Sequence, residues 1–401
     1  MRVLLSDGSG LTARQCATRL AAAGHTVEVL SSDPFALCRF TRHVRRVHKV
    51  PPYGVDPFEW LDSALKVAVT GNFSILFPTQ EQVAVLARSL PKLRAAGVST
   101  AVPSLDALAR VQDKLAARAT LVEVGLPQPD STIARSHREL SACDRLPAFV
   151  KRPIGTASTG VRHVTTGTEL ASLATELDAE GAFLEGGVLV QSPAVGPLVM
   201  AQAVFDHGQL VAAHTCLRIK EGAGGGASHK RSVDLSQVRE HLSALGTSLA
   251  WQGALSADLI LTERGPMYID INPRLVEPGN AWRAGVDLVG ALIDVATDAP
   301  PTIQGPGVPD DATHQLLLAI LGAAQHRRSR RAVFAELSSA LGHRGDYRAS
   351  AEELTPMRHD WRAAAGTLAW PPAWRWFSSG AVANYSLTPG AWRQILASRA
   401  T

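Results

Sequence analysis

Short apolar runs alternate with stretches of helical spacing at the start of the chain. Residues 2–5 form a compact apolar run that ends in the turn Asp7-Gly8-Ser9-Gly10. Over 12–23 the spacing of Cys16, Leu20 and Ala23, with Leu11 just ahead, predicts a helix with one apolar face, stopped by Gly24. Strands are predicted over 26–30 and 74–77, and a second helix over 82–96. Alternating β and α units of this kind predict a parallel sheet wound with helices.

From Ser104 the pattern changes. Residues 105–121 read as one helix, and strands then dominate, over 148–151, 187–191, 199–206, 210–217, 257–261 and 267–271. Residues 296–309 are rich in Pro and Gly and read as a linker, while 310–401 read as mostly helical and carry Trp361, Trp370, Trp374, Trp376 and Trp392. The expected organisation is three segments: 1–103, 104–305 and 306–401.

Composition changes the picture little. The 401 residues are 46% hydrophobic and 19% charged, a globular rather than disordered balance. A net charge of +4 is too small an excess to point to nucleic acid. No apolar run is long enough to span a bilayer, and no secretory h-region follows Met1. Cys16, Cys38, Cys143 and Cys216 are far apart and form no CxxC, so a disulfide framework is not expected and the chain reads as cytoplasmic. The histidines show no paired ligand spacing that would suit zinc. Arg327, Arg328, Arg330 and Arg331 read as a solvated helix face, and the Trp cluster as core or a homodimer contact.

Three places carry candidate chemistry. Gly8-Ser9-Gly10-Leu11-Thr12-Ala13 fits G-x-G-x-x-A between a strand and a helix, with Asp33 beyond the second strand. That turn alone would suit an NAD-dependent oxidoreductase, although any βαβ unit needs a tight Gly turn. The second place is Pro147-Ala148-Phe149-Val150-Lys151, where an apolar strand delivers a lysine ahead of a small-residue loop containing Thr156, Ser158 and Gly160. Small residues let backbone N–H groups approach phosphate oxygens. Val161-Arg162 replaces the Lys-Ser/Thr of a Walker A loop, so this is a different phosphate cradle.

The third place decides the reading. Residues 257–274 form two apolar runs around a Gly-containing turn, a hairpin pattern. Alternation puts Tyr268, Asp270, Asn272 and Arg274 on one face, and antiparallel pairing brings Asp258 beside Asp270. Strands are depleted in Asp and Asn, so two of them inside an apolar run need an occupant. Hard oxygen donors of this kind suit Mg²⁺.

At these residues the chain resembles the ATP-grasp superfamily, whose last motif is acidic-x-Asn-x-Arg with another acidic ligand about twelve residues earlier. The resemblance spans about residues 1–300. It implies an α/β and α+β fold: a Rossmann-like N-terminal domain, a two-lobed ATP-binding region and, here, a helical C-terminal appendage. It also implies that Asp258, Asp270 and Asn272 hold one or two Mg²⁺ ions, with Mn²⁺ a possible substitute. Lys114, Lys151, Thr156, Ser158 and Gly160 would bind ATP phosphates, and Gln191, Ser192 and Ala194 would form the adenine hinge. The hinge departs from the usual Q-E-Y, since Ser192-Pro193 follows Gln191, and Asp270 stands where Glu is usual.

The activity implied is ligation: a carboxylate is activated as an acylphosphate and joined to an amine, with release of ADP. Arg274, Lys151 and Arg218 are the catalytic candidates. The Gly-dense stretch 218–231 reads as a mobile basic flap, with Lys220 and Lys230 as substrate contacts, and Glu81 as a contact for the amine. The partners implied are small-molecule carboxylates and amines, with no nucleic acid and no membrane. A kinase or carboxylase on the same fold, and the oxidoreductase using Gly8, Gly10 and Asp33, are the alternatives.

Overall fold

The computed structural model describes residues 1–155, 160–327, 329–354, 360, 362 and 385–398. Strands β1 (Arg2–Leu5), β2 (Thr26–Ser31), β3 (Val47–Lys49) and β4 (Ile75–Phe77) pair in parallel in the order β3-β2-β1-β4. The chain winds one way from β1 to β3 and then returns to the other side of β1. That reversal opens a crevice at the carboxyl ends of β1 and β4, where ligands bind in open α/β sheets. Ser6, Asp7, Thr79, Gln80 and Glu81 line its floor, all buried.

A second sheet combines β5 (Ser131–Ala134), β6 (Ala148–Lys151), β7 (Val161–Val164) and β8 (Val188–Gln191) in the order β5-β8-β6-β7, all antiparallel. Helix Gly167–Ala179 covers it and buries Leu170, Leu173, Ala174 and Leu177 against Val150, Val164 and Val190. Its start is fixed by a reciprocal capping box between Thr166 and Glu169.

The largest sheet has seven strands: β9 (Leu198–Asp206), β10 (Gln209–Glu221), β11 (Ala227–Ser232), β12 (Gly253–Thr262), β13 (Gly265–Asn272), β14 (Ala312–His314) and β15 (Ser350–Glu352). Their order is β13-β12-β9-β10-β11-β14-β15. The segment joining β8 to β9 crosses close beneath β12 at Gly196, φ +150°. A Cβ there would lie 2.1 Å from the Leu261 carbonyl oxygen, so only glycine fits.

Three expectations need correction. Residues 105–121 are two helices, Leu105–Gln112 and Lys114–Val124, because Asp113 turns extended and its carboxylate accepts from the Leu115 and Ala116 amides. Residues 82–96 likewise split into Val83–Arg88 and Leu90–Ala95 around Ser89, two residues ahead of Pro91. The C-terminal third is not simply a helical appendage. β14 and β15 extend the central sheet, and strands of three residues carry too little pattern to be seen in the sequence. Helix Pro389–Ala397 then packs Trp392 and Ile395 into the core shared with Val83 and Leu86. The other four C-terminal tryptophans lie outside the described residues. Among the described residues no helix is long and apolar enough to cross a membrane.

One irregularity in the hairpin β12–β13 sets the site. Asp258 pairs with Asp270 but Leu259 pairs with Tyr268, so Ile269 is an extra, bulged residue. The slip reverses the side on which Tyr268 falls. Instead of sharing a face with Asp270, it is buried with Leu259 and Ile271, and its hydroxyl has no hydrogen-bond partner. Tyr268→Phe removes an unsatisfied buried group and keeps the ring, so stability in urea should rise by about 1 kcal/mol. A loss of stability in the unfolding curve would mean that the hydroxyl is satisfied and the bulge misplaced.

Candidate active site

The bulge frees backbone groups that the rest of the site uses. The Tyr268 amide donates to the Pro127 carbonyl at 2.8 Å, and the Ile269 carbonyl accepts from Lys151 Nζ at 2.7 Å. Lys151 ends β6 in the four-stranded sheet, so this bond bridges the gap between the two sheets. Asp258 and Asp270 stand opposite one another on the seven-stranded sheet, with Asn272 two residues on, opposite Ser256. Lys114 reaches the pair from the first residue of its helix and meets Asp270 Oδ1 at 2.5 Å. The helix break at Asp113 aims it there, helped by the Lys114 amide bonding to the Pro153 carbonyl at 3.0 Å.

Two carboxylates face to face cannot both ionise freely. Burial, then the charge of Asp270, pushes Asp258 up to about 7, against the pull of Lys114 and Lys151. Burial pulls Lys151 down to about 8, while Asp270 opposes the shift. Both groups therefore titrate near neutrality, the usual mark of groups arranged for a task rather than for solvation.

Arg274 continues from β13 toward the first sheet and is nearly buried. Its Nε donates to Glu81 Oε1 at 3.1 Å, and one Nη contacts the Leu275 carbonyl at 3.4 Å. Glu81 Oε2 accepts from Gln112 Nε2 at 3.3 Å, and the Glu81 carbonyl accepts from the Tyr53 hydroxyl at 2.9 Å. Glu81 is thus a bridge from the β4 crevice to the last strand motif. Tyr385 enters the same crevice from the C-terminal segment; burial first, and then Asp7, push its phenol up to about 12.

The remaining predicted residues fall elsewhere. Gln191 is buried at the end of β8, the Ser192 amide bonds to the Asp130 carbonyl at 2.8 Å, and Ala194 is half-buried in the connection to β9. Gly160 closes the small-residue loop by accepting from the Arg152 amide at 2.8 Å, while Thr156 and Ser158 lie outside the described residues.

The basic flap is corrected. Residues 218–231 are the paired ends of β10 and β11 around one short turn. Arg218 donates to the Gly225 carbonyl at 2.9 Å within that turn, and Lys220 meets Glu336 at 2.7 Å. Lys230 is buried between Glu277 and Glu353, each at 2.8 Å. Burial pulls against its charge, but the two carboxylates hold the ammonium above its ordinary range. Carboxylates distant in sequence claimed the two lysines, and no local pattern announces such partners, while Arg218 pairs locally with Glu221 at 3.3 Å.

Sequence reasoning missed Asp7 as well. Its carboxylate takes the Ser9 amide at 2.8 Å and the Ser9 hydroxyl at 3.0 Å, and burial pushes it up to about 7. Read as an ordinary turn residue, it ties down the Ser9 end of the turn, while the first amides of the helix, at Leu11 and Thr12, have no partner among the described residues. The signal was present: an acidic residue directly before G-x-G.

The donor set fits a metal that arrives with phosphate. Among the described residues no group of three or more His, Cys, Asp or Glu side chains is arranged to hold a metal alone. Two carboxylates and an amide beside two lysines match Mg²⁺, which binds through one or two carboxylates and takes its other oxygens from phosphate and water.

No known family model matches the chain. Pyruvate carboxylase 1 of Caenorhabditis elegans is 25% identical over 271 residues, 62% of this chain, which spans only 22% of that protein. Among solved structures, the biotin carboxylase domain of Hydrogenobacter thermophilus 2-oxoglutarate carboxylase, a dimer in complex with MgADP, ADP and bicarbonate, superposes with a TM-score of 0.60. It is 15% identical, over 78% of this chain and 74% of that one. The N5-carboxyaminoimidazole ribonucleotide synthetase of Thermus thermophilus gives 0.57 at 17% identity, over 78% and 81%. The L-amino acid ligase of Bacillus licheniformis gives 0.58 at 14%, over 75% of each chain. The chain has the ATP-grasp fold that these carboxylases, synthetases and ligases share.

Proposed function

We propose that this protein is an ADP-forming ligase that uses Mg·ATP to activate a carboxylate and joins it to an amine. The observation that carries the reading is the convergence of Lys114 and Lys151, from separate elements, on the opposed Asp258–Asp270 pair. Phosphoryl transfer needs positioned charge more than covalent chemistry, and this arrangement offers both signs within one cleft. Mg²⁺ at Asp258, Asp270 and Asn272 would neutralise β- and γ-phosphate oxygens. Lys151 and Lys114 bind and orient the phosphates, with Gly160 closing the adjoining loop. Gln191, Ser192 and Ala194 border the adenine position. Arg274, planar and permanently charged, faces the transferred group or the carboxylate. A homodimer, the assembly named for the Hydrogenobacter domain, belongs to this reading.

A carboxylase is the second reading, favoured by the similarity to pyruvate carboxylase and biotin carboxylases. The oxidoreductase alternative has no support among the similar proteins, which are carboxylases, synthetases and ligases.

With Mg·ATP, pooled carboxylates and amines should release ADP and phosphate. Lys151→Ala and Asp270→Ala should each lower kcat/KM by about a hundredfold or more. AMP formation would overturn the reading, and turnover with bicarbonate as the activated acid would select the carboxylase.

The titration of the site gives a second test. Asp258 must lose its proton to hold a metal, so below about 7 a proton competes. Mn²⁺ affinity in the presence of ADP, followed by electron paramagnetic resonance, should fall by about tenfold per pH unit below 7 and level off above it. Metal-free ADP binding should run the other way at high pH, weakening as Lys151 loses its charge above about 8. Asp258→Asn should remove the acid limb and leave the alkaline one.

A further inference from the structure

The turn Gly8-Ser9-Gly10 opens helix Leu11–Ala22, and the proposed phosphoryl chemistry makes no use of it. Other helix starts in this chain are closed by a side chain, as by Asp56, Asp113 and Thr166. Here the N-cap is Gly10, which has no side chain to offer. The amides of Gly10, Leu11, Thr12 and Ala13 have no partner among the described residues, and Thr12 and Ala13 are buried. Amides in such a place take an acceptor from outside the helix, and the dipole favours a negative one.

A second group stands at the same spot. Gln80 is only 7% exposed, yet its terminal amide makes no hydrogen bond among the described residues. A Cβ on Gly10 would lie 2.6 Å from Gln80 Nε2, so the side-chain amide hangs over the helix start. A buried amide left without partners is costly, and this one can donate to whatever the helix amides bind. The helix start is also pinned to the last strand motif. The Glu277 amide donates to Thr12 Oγ1 at 3.1 Å and the Gly279 amide to Gln15 Oε1 at 2.7 Å, while Glu81, next to Gln80, pairs with Arg274. The helix amides, Gln80 and Arg274 therefore belong to one crevice, at the carboxyl ends of β1 and β4.

Fixed negative charge does not close that crevice to an anion. The Asp7 carboxyl is engaged by the Ser9 amide and hydroxyl, and burial lifts it to about 7, so it is not a permanent anion at neutral pH. Glu81 is neutralised by Arg274, and Asp33 accepts from the Phe35 amide at 2.7 Å. Neutral donors gathered at a helix start suit a small oxyanion.

We propose that the start of helix Leu11–Ala22 and the Gln80 side chain together bind an oxyanion, a carboxylate or a phosphate, carried by the acceptor, and that Gln80 is a specificity-determining residue for it. The inference rests on the ligase reading and deepens it. The acceptor is an amine that bears an acidic group; its acidic end docks at the helix and its amino end faces the activated acid beside Arg274.

The sequence holds two Gly-Leu steps, Gly10-Leu11 and Gly125-Leu126. Labelling with [1-¹³C]glycine and [¹⁵N]leucine therefore leaves two amide peaks in a carbonyl-filtered spectrum, Leu11 and Leu126. The Leu126 amide bonds to the Leu121 carbonyl at 2.8 Å and is the internal control; Leu126→Ile removes its peak and assigns both. The full-length protein, saturated with Mg·ADP, would be titrated with phosphoethanolamine against ethanolamine, O-phospho-L-serine against L-serine amide, L-amino acids against their amides, and NAD⁺. At least one amine with an acidic group should move the Leu11 peak saturably, its proton shifting downfield as the amide gains an acceptor. The counterpart lacking the acid should leave it still, and the Leu126 peak should not move. Phosphorylated amines acting where amino acids do not would make the oxyanion a phosphate, and the converse a carboxylate. Gln80→Leu should weaken the response by about tenfold, and Gln80→Glu, which keeps the size and adds a negative charge, should abolish it. Both variants should bind Mg·ADP as the unaltered protein does, which also shows that they fold.

A Leu11 peak that no anionic amine moves, equal shifts from amines with and without the acid, a shift from NAD⁺ alone, or unchanged affinity in either Gln80 variant would each overturn the proposal. Lys151-dependent Mg·ADP binding with a silent Leu11 defeats only this inference, whereas absent nucleotide binding defeats the ligase reading.

Discussion

The opposition of Asp258 and Asp270 across neighbouring strands is the constraint on which the site depends. Like charges directly opposite one another destabilise a sheet, and here they occupy a half-buried cleft where water screens them poorly. The chain offsets that cost with two lysines from different places. Lys151 stands at the end of a strand in another sheet, and Lys114 at the first turn of a helix. Neither could reach the pair without the bulge at Ile269, which turns a carbonyl toward Lys151, or the break at Asp113, which starts a new helix at Lys114. A local irregularity in each partner is thus what brings charge to charge.

The same economy ties the N-terminal sheet to the rest. Glu81 and Arg274 pair in a nearly buried setting, where removing either partner would strand the other. A second buried network lies on the opposite side. Lys230 joins Glu277 and Glu353, Gln15 donates to Glu353 at 3.0 Å, and Gln315 donates to both glutamates. These residues come from the first helix, the central sheet and the segment around β14 and β15. Such networks give little net stability, because desolvation consumes most of the Coulomb gain, but they accept only one arrangement of their members. They fix how the three parts of the chain meet.

Much of this was legible in the sequence, for definite reasons. Parallel β/α alternation, the hairpin of 257–274 and the unusual polar residues within its strands are local patterns, and locality is what periodicity detects. The motif pointed to Asp258, Asp270, Asn272 and Arg274, and the structure places the first three on one edge of the cleft and Arg274 against Glu81. Tyr268 escaped because a single bulged residue reverses a two-residue period, and no composition rule marks Ile269 as the extra one. Lys220 and Lys230 looked free because their partners, Glu336, Glu277 and Glu353, are far along the chain. Asp7 was visible but weighed as turn chemistry, since its importance comes from burial rather than from neighbours in sequence.

Asp7 also shows why a shared fold leaves the substrate undetermined. A glycine-rich turn ahead of a helix presents amides and a positive dipole end to whatever lies above it, and on other chains that arrangement takes anions. Here the Asp7 carboxyl, Thr79 and Leu30 take the amides of Ser9, Asp7 and Gly8, while the first amides of the helix have no partner among the described residues. The first sheet and the central hairpin meet at the buried ion pair of Glu81 and Arg274.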